Sequence, residues 1–281
     1  MLSISPNEIP VPQLHQYLLG AVGPRPICFA STVDAAGNHN LAPFSFFNVF
    51  SAKPPIAIFS PNISGKTGLA KDTHLNIKEV PECVINIVNF SMVQQMSLAS
   101  SPYPKGISEF TKAGFTPIAS ELVKPMRVKE SPVQLECKVF ELKEIGNCNL
   151  VMCEVVKIHI DESVLNEHQL IDQQKIDLVA RMGGNWYCRA HGDALFEIEK
   201  PITTIGVGVD TIPIGVKNSR VLTGNNLGQL GNIEVLPTLE EIKNYNNTLT
   251  QQFLNEEAKH QFAKTLLDIN KVKEAWCVLL N

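Results

Sequence analysis

The chain has 281 residues, enough for one large domain or two ordinary ones, with 44% hydrophobic and 19% charged residues, as is common in soluble globular proteins. Its net charge of −4 carries no basic excess for nucleic acid and no polybasic run for a membrane surface. The apolar runs are strand-sized, too short for a transmembrane helix. MLSISPNEIP at the N-terminus has neither the basic region nor the long apolar run of a secretory leader, so a cytoplasmic location is expected.

Residues 11–19 can form a short helix, ended by Gly20 and by Gly23-Pro24. Strands are expected over 26–33, 39–50 and 55–60, each short and rich in β-branched or aromatic residues. The first two make a hairpin whose turn uses Gly37, and Lys53-Pro54-Pro55 bends the chain into the third. Hydroxyls and amides sit in or beside these strands: Ser31, Thr32, Ser45, Asn48, Ser51 and Ser60. Each alone can be a solvent-facing strand residue, but the grouping, with lysines nearby and few acids, suits an anionic ligand.

Gly65-Lys66-Thr67 resembles a phosphate loop only superficially, because Ser60 stands where that pattern needs a glycine. Lys71-Asp72-Thr73 opens a short helix, with Thr73 as its expected N-cap and Asn76 one turn in. A lysine and a hydroxyl at a helix N-terminus can hold an anion, and ordinary capping explains the same residues equally well.

Residues 83–90 read as a central buried strand, and Ser91 caps the helix after it. A short helix is expected around 107–113, stopped by Gly114. Residues 131–145 and 149–160 form two long strands joined at Gly146-Asn147, with one wet face. At 181–187, two glycines beside two aromatics suggest backbone lying close to something flat, or a plain tight turn. Beyond Lys200-Pro201 the character changes, so the expected division is 1–200 and 201–281. Residues 201–236 look irregular. Thr238-Leu239-Glu240-Glu241 is a capping box, followed by apolar residues at helical spacing. This extension carries one or two amphipathic helices that must dock on the core or on a partner.

Seven cysteines, at 28, 83, 137, 148, 153, 188 and 277, show no CxxC spacing and read as buried free thiols. No HExxH, GxSxG, GxGxxG or paired Cys/His metal spacing occurs, and the seven histidines are scattered. His168 and His191 flank the Gly-Gly segment, where an exposed or satisfied histidine is the simpler reading. No catalytic residue and no metal ligand is assigned. A β core without a residue-based catalyst but with an anion site points to a phosphorylated aromatic cofactor.

At this point the sequence resembles the flavin reductase-like, FMN-binding split-barrel proteins. The residues that carry the resemblance are Arg25-Pro26, Ser31-Thr32, Asn40-Leu41-Ala42-Pro43-Phe44-Ser45-Phe46-Phe47, Pro54-Pro55, Lys71-Asp72-Thr73 with Asn76-Ile77, and Arg181-Met182-Gly183-Gly184 with Tyr187. The resemblance implies a mainly β fold, a six-stranded split barrel with peripheral helices, here with a C-terminal helical extension. It also implies a homodimer with FMN near the interface. Ser45, Lys71, Thr73 and Asn76 would hold the phosphate and ribityl chain. The backbones of Ser31-Thr32 and of Ala42, Pro43, Phe44, Ser45 and Phe46 would line the ring, with Arg25 opening the first strand of the site. Gly183, Gly184 and Tyr187 would lie near the open face of the ring, and His74 would touch the phosphate or face solvent. The implied reaction is hydride transfer from NADH or NADPH to flavin, with free flavin, ferric iron or an acceptor monooxygenase as the next electron acceptor. The alternatives are an FMN-binding electron carrier without nicotinamide turnover and a split barrel of the pyridoxamine-phosphate-oxidase type.

Overall fold

The computed structural model describes residues 1–63, 68–198, 200–250 and 252–281. Gly65, Lys66 and Thr67 lie outside the described residues. Two compact units are present, Met1–Phe196 and Glu197–Asn281. No helix among the described residues is long and apolar enough to cross a membrane.

The first unit opens on helix α1 (Val11–Ala21). Strands β1 (Cys28–Val33), β2 (His39–Phe44), β3 (Phe47–Ala52) and β4 (Pro55–Phe59) follow, then α2 (Asp72–Glu79) and β5 (Glu82–Ile87). Next come α3 (Val93–Leu98), α4 (Glu109–Ala113), and a minor pair, β6 (Pro117–Ile118) with β7 (Arg127–Val128). The long hairpin is β8 (Val133–Ile145) and β9 (Cys148–Ile160), turned at Gly146, whose φ of 60° favours glycine. A short helix α5 (Gln173–Ile176) precedes a small hairpin, β10 (Val179–Arg181) and β11 (Tyr187–Arg189).

Seven strands form one antiparallel sheet in the order β2-β1-β5-β8-β9-β4-β3. The expected six become seven because the run 39–50 is two strands. Its apolar pattern is continuous, but the chain turns a corner at Ser45-Phe46: β2 pairs with β1, and β3 pairs with β4. Those two strands are the opposite edges of the sheet. From Phe44 to Phe47 the chain can span at most roughly 11 Å. The sheet must therefore curl until its edges approach each other there.

Side-chain alternation then sorts two cores. Cys28 and Ala30 of β1 point into the curl, where they meet Ala57, Phe59, Ile85, Cys137 and Val151. Ile27 and Phe29 point the other way, onto Met92, Met96, Phe110 and Phe115 around α3 and α4. Burial on both sides explains why every residue of β1 is buried.

The second unit is helical: α6 (Ile214–Lys217), α7 (Gly224–Gly231), α8 (Leu239–Thr248), α9 (Glu256–Asp268) and α10 (Val272–Leu279). The capping box at Thr238 and Glu241 is present and starts α8. The stretch expected to be irregular contains α6 and α7. The apolar faces bury one another around Leu230, Leu267 and Trp276, so the unit has its own core. The Trp276 indole donates to the Leu230 carbonyl at 2.9 Å, which satisfies its one polar atom.

Candidate functional site

A cleft of about 600 Å³ opens where the sheet turns its corner. One wall is β2 and the corner itself, with Ala42, Pro43, Phe44, Ser45 and Phe46. The other side is the start of α2, with Lys71, Asp72 and Thr73, and the segment holding Tyr103 and Glu109. One end is therefore apolar and aromatic, and another carries a lysine beside a helix N-terminus. Lys71, not Thr73, occupies the N-cap position, and no side chain caps the helix. The leading amides of α2 have no carbonyl one turn earlier to bind, as at any helix start.

Thr73 fails as a cap because its side chain is turned inward. Asn40 donates from Nδ2 to Thr73 Oγ1 at 2.9 Å and to Thr32 Oγ1 at 3.4 Å. Asn76 donates to the same Thr32 oxygen at 3.1 Å. Thr73 and Asn76 are three apart and so share one helix face, which is laid on the sheet. Thr32, Asn40, Thr73 and Asn76 are all buried. Thr32 and Asn76, expected at the ligand, do not line the cleft; Asn76 holds Thr32, and Asn40 links Thr32 to Thr73. Thr73 lines the cleft while its hydroxyl accepts from Asn40, which leaves its own proton to donate.

Other expected site residues are elsewhere. Ser31 is fully buried and donates to the Met126 carbonyl at 2.5 Å, so it does not line the cleft. Arg25 spends its guanidinium on main-chain oxygens: Leu19 at 2.7 Å, Val22 at 2.5 Å and Met182 at 2.9 Å. It ties the end of α1 to the 182–186 turn, and burial followed by nearby Arg181 lowers its pKa. Gly183, Gly184 and Tyr187 line a separate concavity with Gln16, Met182, Trp186 and Cys188. Gly183 lies against the backbone of Gly20, where a Cβ would stand 3.1 Å from the Gly20 Cα. Its lack of a side chain serves the packing of α1 on this turn. Gly184 has φ +57° and serves the turn itself. The Arg181 guanidinium lies 4.5 Å from the centre of the Tyr187 ring.

His74 neither touches the cleft nor faces solvent. It is buried, its Nε2 is 3.7 Å from Glu144 Oε1, and burial pushes its pKa down. His168 and His191 are exposed, beside Glu167 and Asp177 respectively. Asn48 and Ser51 belong to β3 and do not line the cleft; Ser60 does, with its hydroxyl bound to Asn62 Oδ1 at 2.5 Å.

The cleft also holds residues that local sequence reasoning misses. Glu109 accepts from the Leu41 amide at 3.0 Å. Burial, reinforced by nearby Asp72, pushes its carboxyl above the usual range. As the first residue of α4 it reads in sequence as an ordinary helix-start acid, and nothing local connects it to β2. Lys71 is thus the basic residue among the described lining, set against Asp72 and Glu109.

Residues 22–177, more than half of the chain and including this whole cleft, match the family model of the flavin reductase like domain. The chain belongs to the flavin reductase-like family. An uncharacterized protein of Aquifex aeolicus is 34% identical over 185 residues, spanning 66% of this chain and 94% of that one. Nitrilotriacetate monooxygenase component B from Bacillus cereus shares 31% identity and a TM-score of 0.66, covering 70% of this chain and 98% of that one. A Shewanella frigidimarina protein described as a flavin reductase with a split barrel domain shares 27% identity and a TM-score of 0.60, over 69% of this chain and 95% of that one. These relatives are nearly covered, so the rest of this flavin reductase-like chain has no counterpart in them. Membership makes an oxidoreductase role the general reading of the chain.

Proposed function

We propose that the cleft binds FMN and that the protein is an NAD(P)H:flavin oxidoreductase. The observation that carries this reading is the pairing of an aromatic wall with a lysine-bearing helix start in one cleft of a flavin reductase-like chain. Lys71, the Ser45 and Thr73 hydroxyls and the leading amides of α2 suit the phosphate. Ala42, Phe44 and Phe46 suit the flat ring. Bound FMN would supply a ring that accepts hydride from a reduced nicotinamide. The chain's own part is to hold the two rings in contact and to exclude water, and hydride transfer needs no protein acid.

The reading includes a homodimer. Trp186 is 77% exposed, and Val49, Phe50, Phe140 and Ile158 are exposed on β3, β8 and β9, apolar side chains that a second copy would cover. The 183–187 turn of one copy would then approach the cleft of the other. Electrons would pass on to free flavin, ferric iron or an acceptor monooxygenase. The protein would act in the cytoplasm, where its free thiols stay reduced.

The test is a visible spectrum of the purified protein before and after anaerobic addition of NADH or NADPH. A flavin band that bleaches supports the reductase. A band that persists with both donors moves the reading to an FMN-binding electron carrier. Lys71→Ala should weaken FMN binding roughly tenfold, for the loss of about 1.5 kcal/mol from a charged hydrogen bond. Unchanged affinity in Lys71→Ala and Thr73→Val together would sink the phosphate assignment.

A further inference from the structure

Three cysteines converge inside the curl of the sheet, and none of them lines the cleft. Cys83 on β5 and Cys137 on β8 are cross-strand neighbours, and Cys153 stands on β9. All three are fully buried, and their sulfurs all lie within 4.8 Å of one another. Packing explains any one of them, since cysteine is a common small core residue. Packing does not require three sulfurs from three strands to meet at one point, because alanine or valine would fill each position.

We propose that Cys83, Cys137 and Cys153 form a three-coordinate site for a monovalent soft cation, Cu(I). Three sulfurs and no oxygen donor exclude magnesium and calcium. Zinc in structural sites takes four ligands, and Cys28, buried in the same core, is not one of the convergent set. Of the neighbours in the surrounding core, Ala30, Ala57, Phe59 and Ile85 carry no side-chain donor, and Cys28 stands outside the distance that joins the three sulfurs. Thiolates favour Cu(I), which accepts trigonal coordination. Sulfurs held about 2.3 Å from a metal in a trigonal plane stand roughly 4 Å apart, so small side-chain shifts close the site.

Binding changes no oxidation state: copper arrives and stays as Cu(I), and each thiol that becomes a thiolate releases its proton to solvent. Because the three sulfurs are sealed from solvent, the ion must enter as the sheet closes during folding. It would then staple three strands whose ligands are far apart in sequence.

The test uses the full-length protein, produced in cells grown with added copper and purified without oxygen against a Cu(I) chelator. The expected result is one copper per chain, with a near-ultraviolet thiolate-to-copper band and sulfur-only coordination by X-ray absorption. Cys83→Ser, Cys137→Ser and Cys153→Ser should each lose nearly all of it, and Cys188→Ser should keep it. If a serine does not fold in this core, the matching alanine variant is used, with its far-ultraviolet circular dichroism matched to the parent. Copper far below one per chain in the parent overturns the site. So do zinc retained in its place, a Cys83–Cys137 disulfide, or copper that persists in the triple alanine variant.

Discussion

In Met1–Phe196 many polar side chains are buried, whereas in Glu197–Asn281 few of the described ones are. The first unit buries Thr32, Asn40, Thr73, Asn76, Asn86 and Glu136 among others; the buried polar residues of the second, among those described, are Asn226 and His260. A buried polar group is costly unless bonded, and it ties its neighbours to one geometry when it is. Asn40 does this for Thr73 at the cleft, and Asn76 does it for Thr32 behind. The helical unit relies on apolar burial and caps, which suffice for a stable unit without shaping a polar site. The family match covers the first unit's sheet and cleft and ends at residue 177.

The strongest attack on this contrast is Trp276→Ala. It should destabilise the helical unit by about 3–5 kcal/mol and leave the Leu230 carbonyl without its donor. Denaturant unfolding should show the loss, while FMN titration stays unchanged, since the cleft is built from first-unit residues. A parallel fall in flavin affinity would break the comparison.

Next in size is Asn40→Ala. It removes the donor to Thr73 and Thr32 and should cost about 1–3 kcal/mol in the first unit. The urea midpoint and FMN affinity should fall together. A shift in stability with intact affinity would mean that Thr73 does not serve the ligand.

Smaller effects follow from charge. The raised Glu109 pKa means that its carboxyl protonates at higher pH than a free glutamate. Protonation removes a negative charge from the cleft, so FMN affinity should rise a few-fold as pH falls through that pKa. Glu109→Gln should flatten this part of the profile.

The smallest effect concerns the other unit. The hydrogen bond from Lys273, with those from the Thr238 amide and hydroxyl, holds the Glu241 carboxyl at about 2. Its folded-state pKa is below the ordinary 4.5, so its contribution is complete above 4.5 and is lost as pH falls toward 2. Glu241→Gln should flatten the melting temperature of the helical unit across that window. The pair is exposed, so the change will be slight.

Much of the fold was legible in alternation and punctuation: β1, β4, β5 and the β8–β9 hairpin at Gly146, and the capped helix α8. The corner at Ser45-Phe46 was not, because the run stays rich in apolar residues through a change of pairing partner and carries no glycine or proline turn signal there. At the site, Ala42, Pro43, Phe44, Ser45, Phe46, Lys71 and Thr73 could be read because they lie in two local segments that the cleft joins. Ser31, Thr32, Asn76 and Arg25 were carried to the ligand by the resemblance, and sequence displays their polarity but not their direction. Tyr103 and Glu109 reach the cleft from a segment with no local sign of it.

The order of apolar and polar residues, by itself, determined which segments leave water and in what secondary structure. Tertiary structure decided whom each buried polar side chain meets: Asn40 with Thr73, Arg25 with the end of α1, and Cys83 with Cys137 and Cys153. The physical reason is range. Burial follows from each residue's own transfer free energy and the local backbone period, but a partner dozens of positions away is set only when the sheet curls and brings it there.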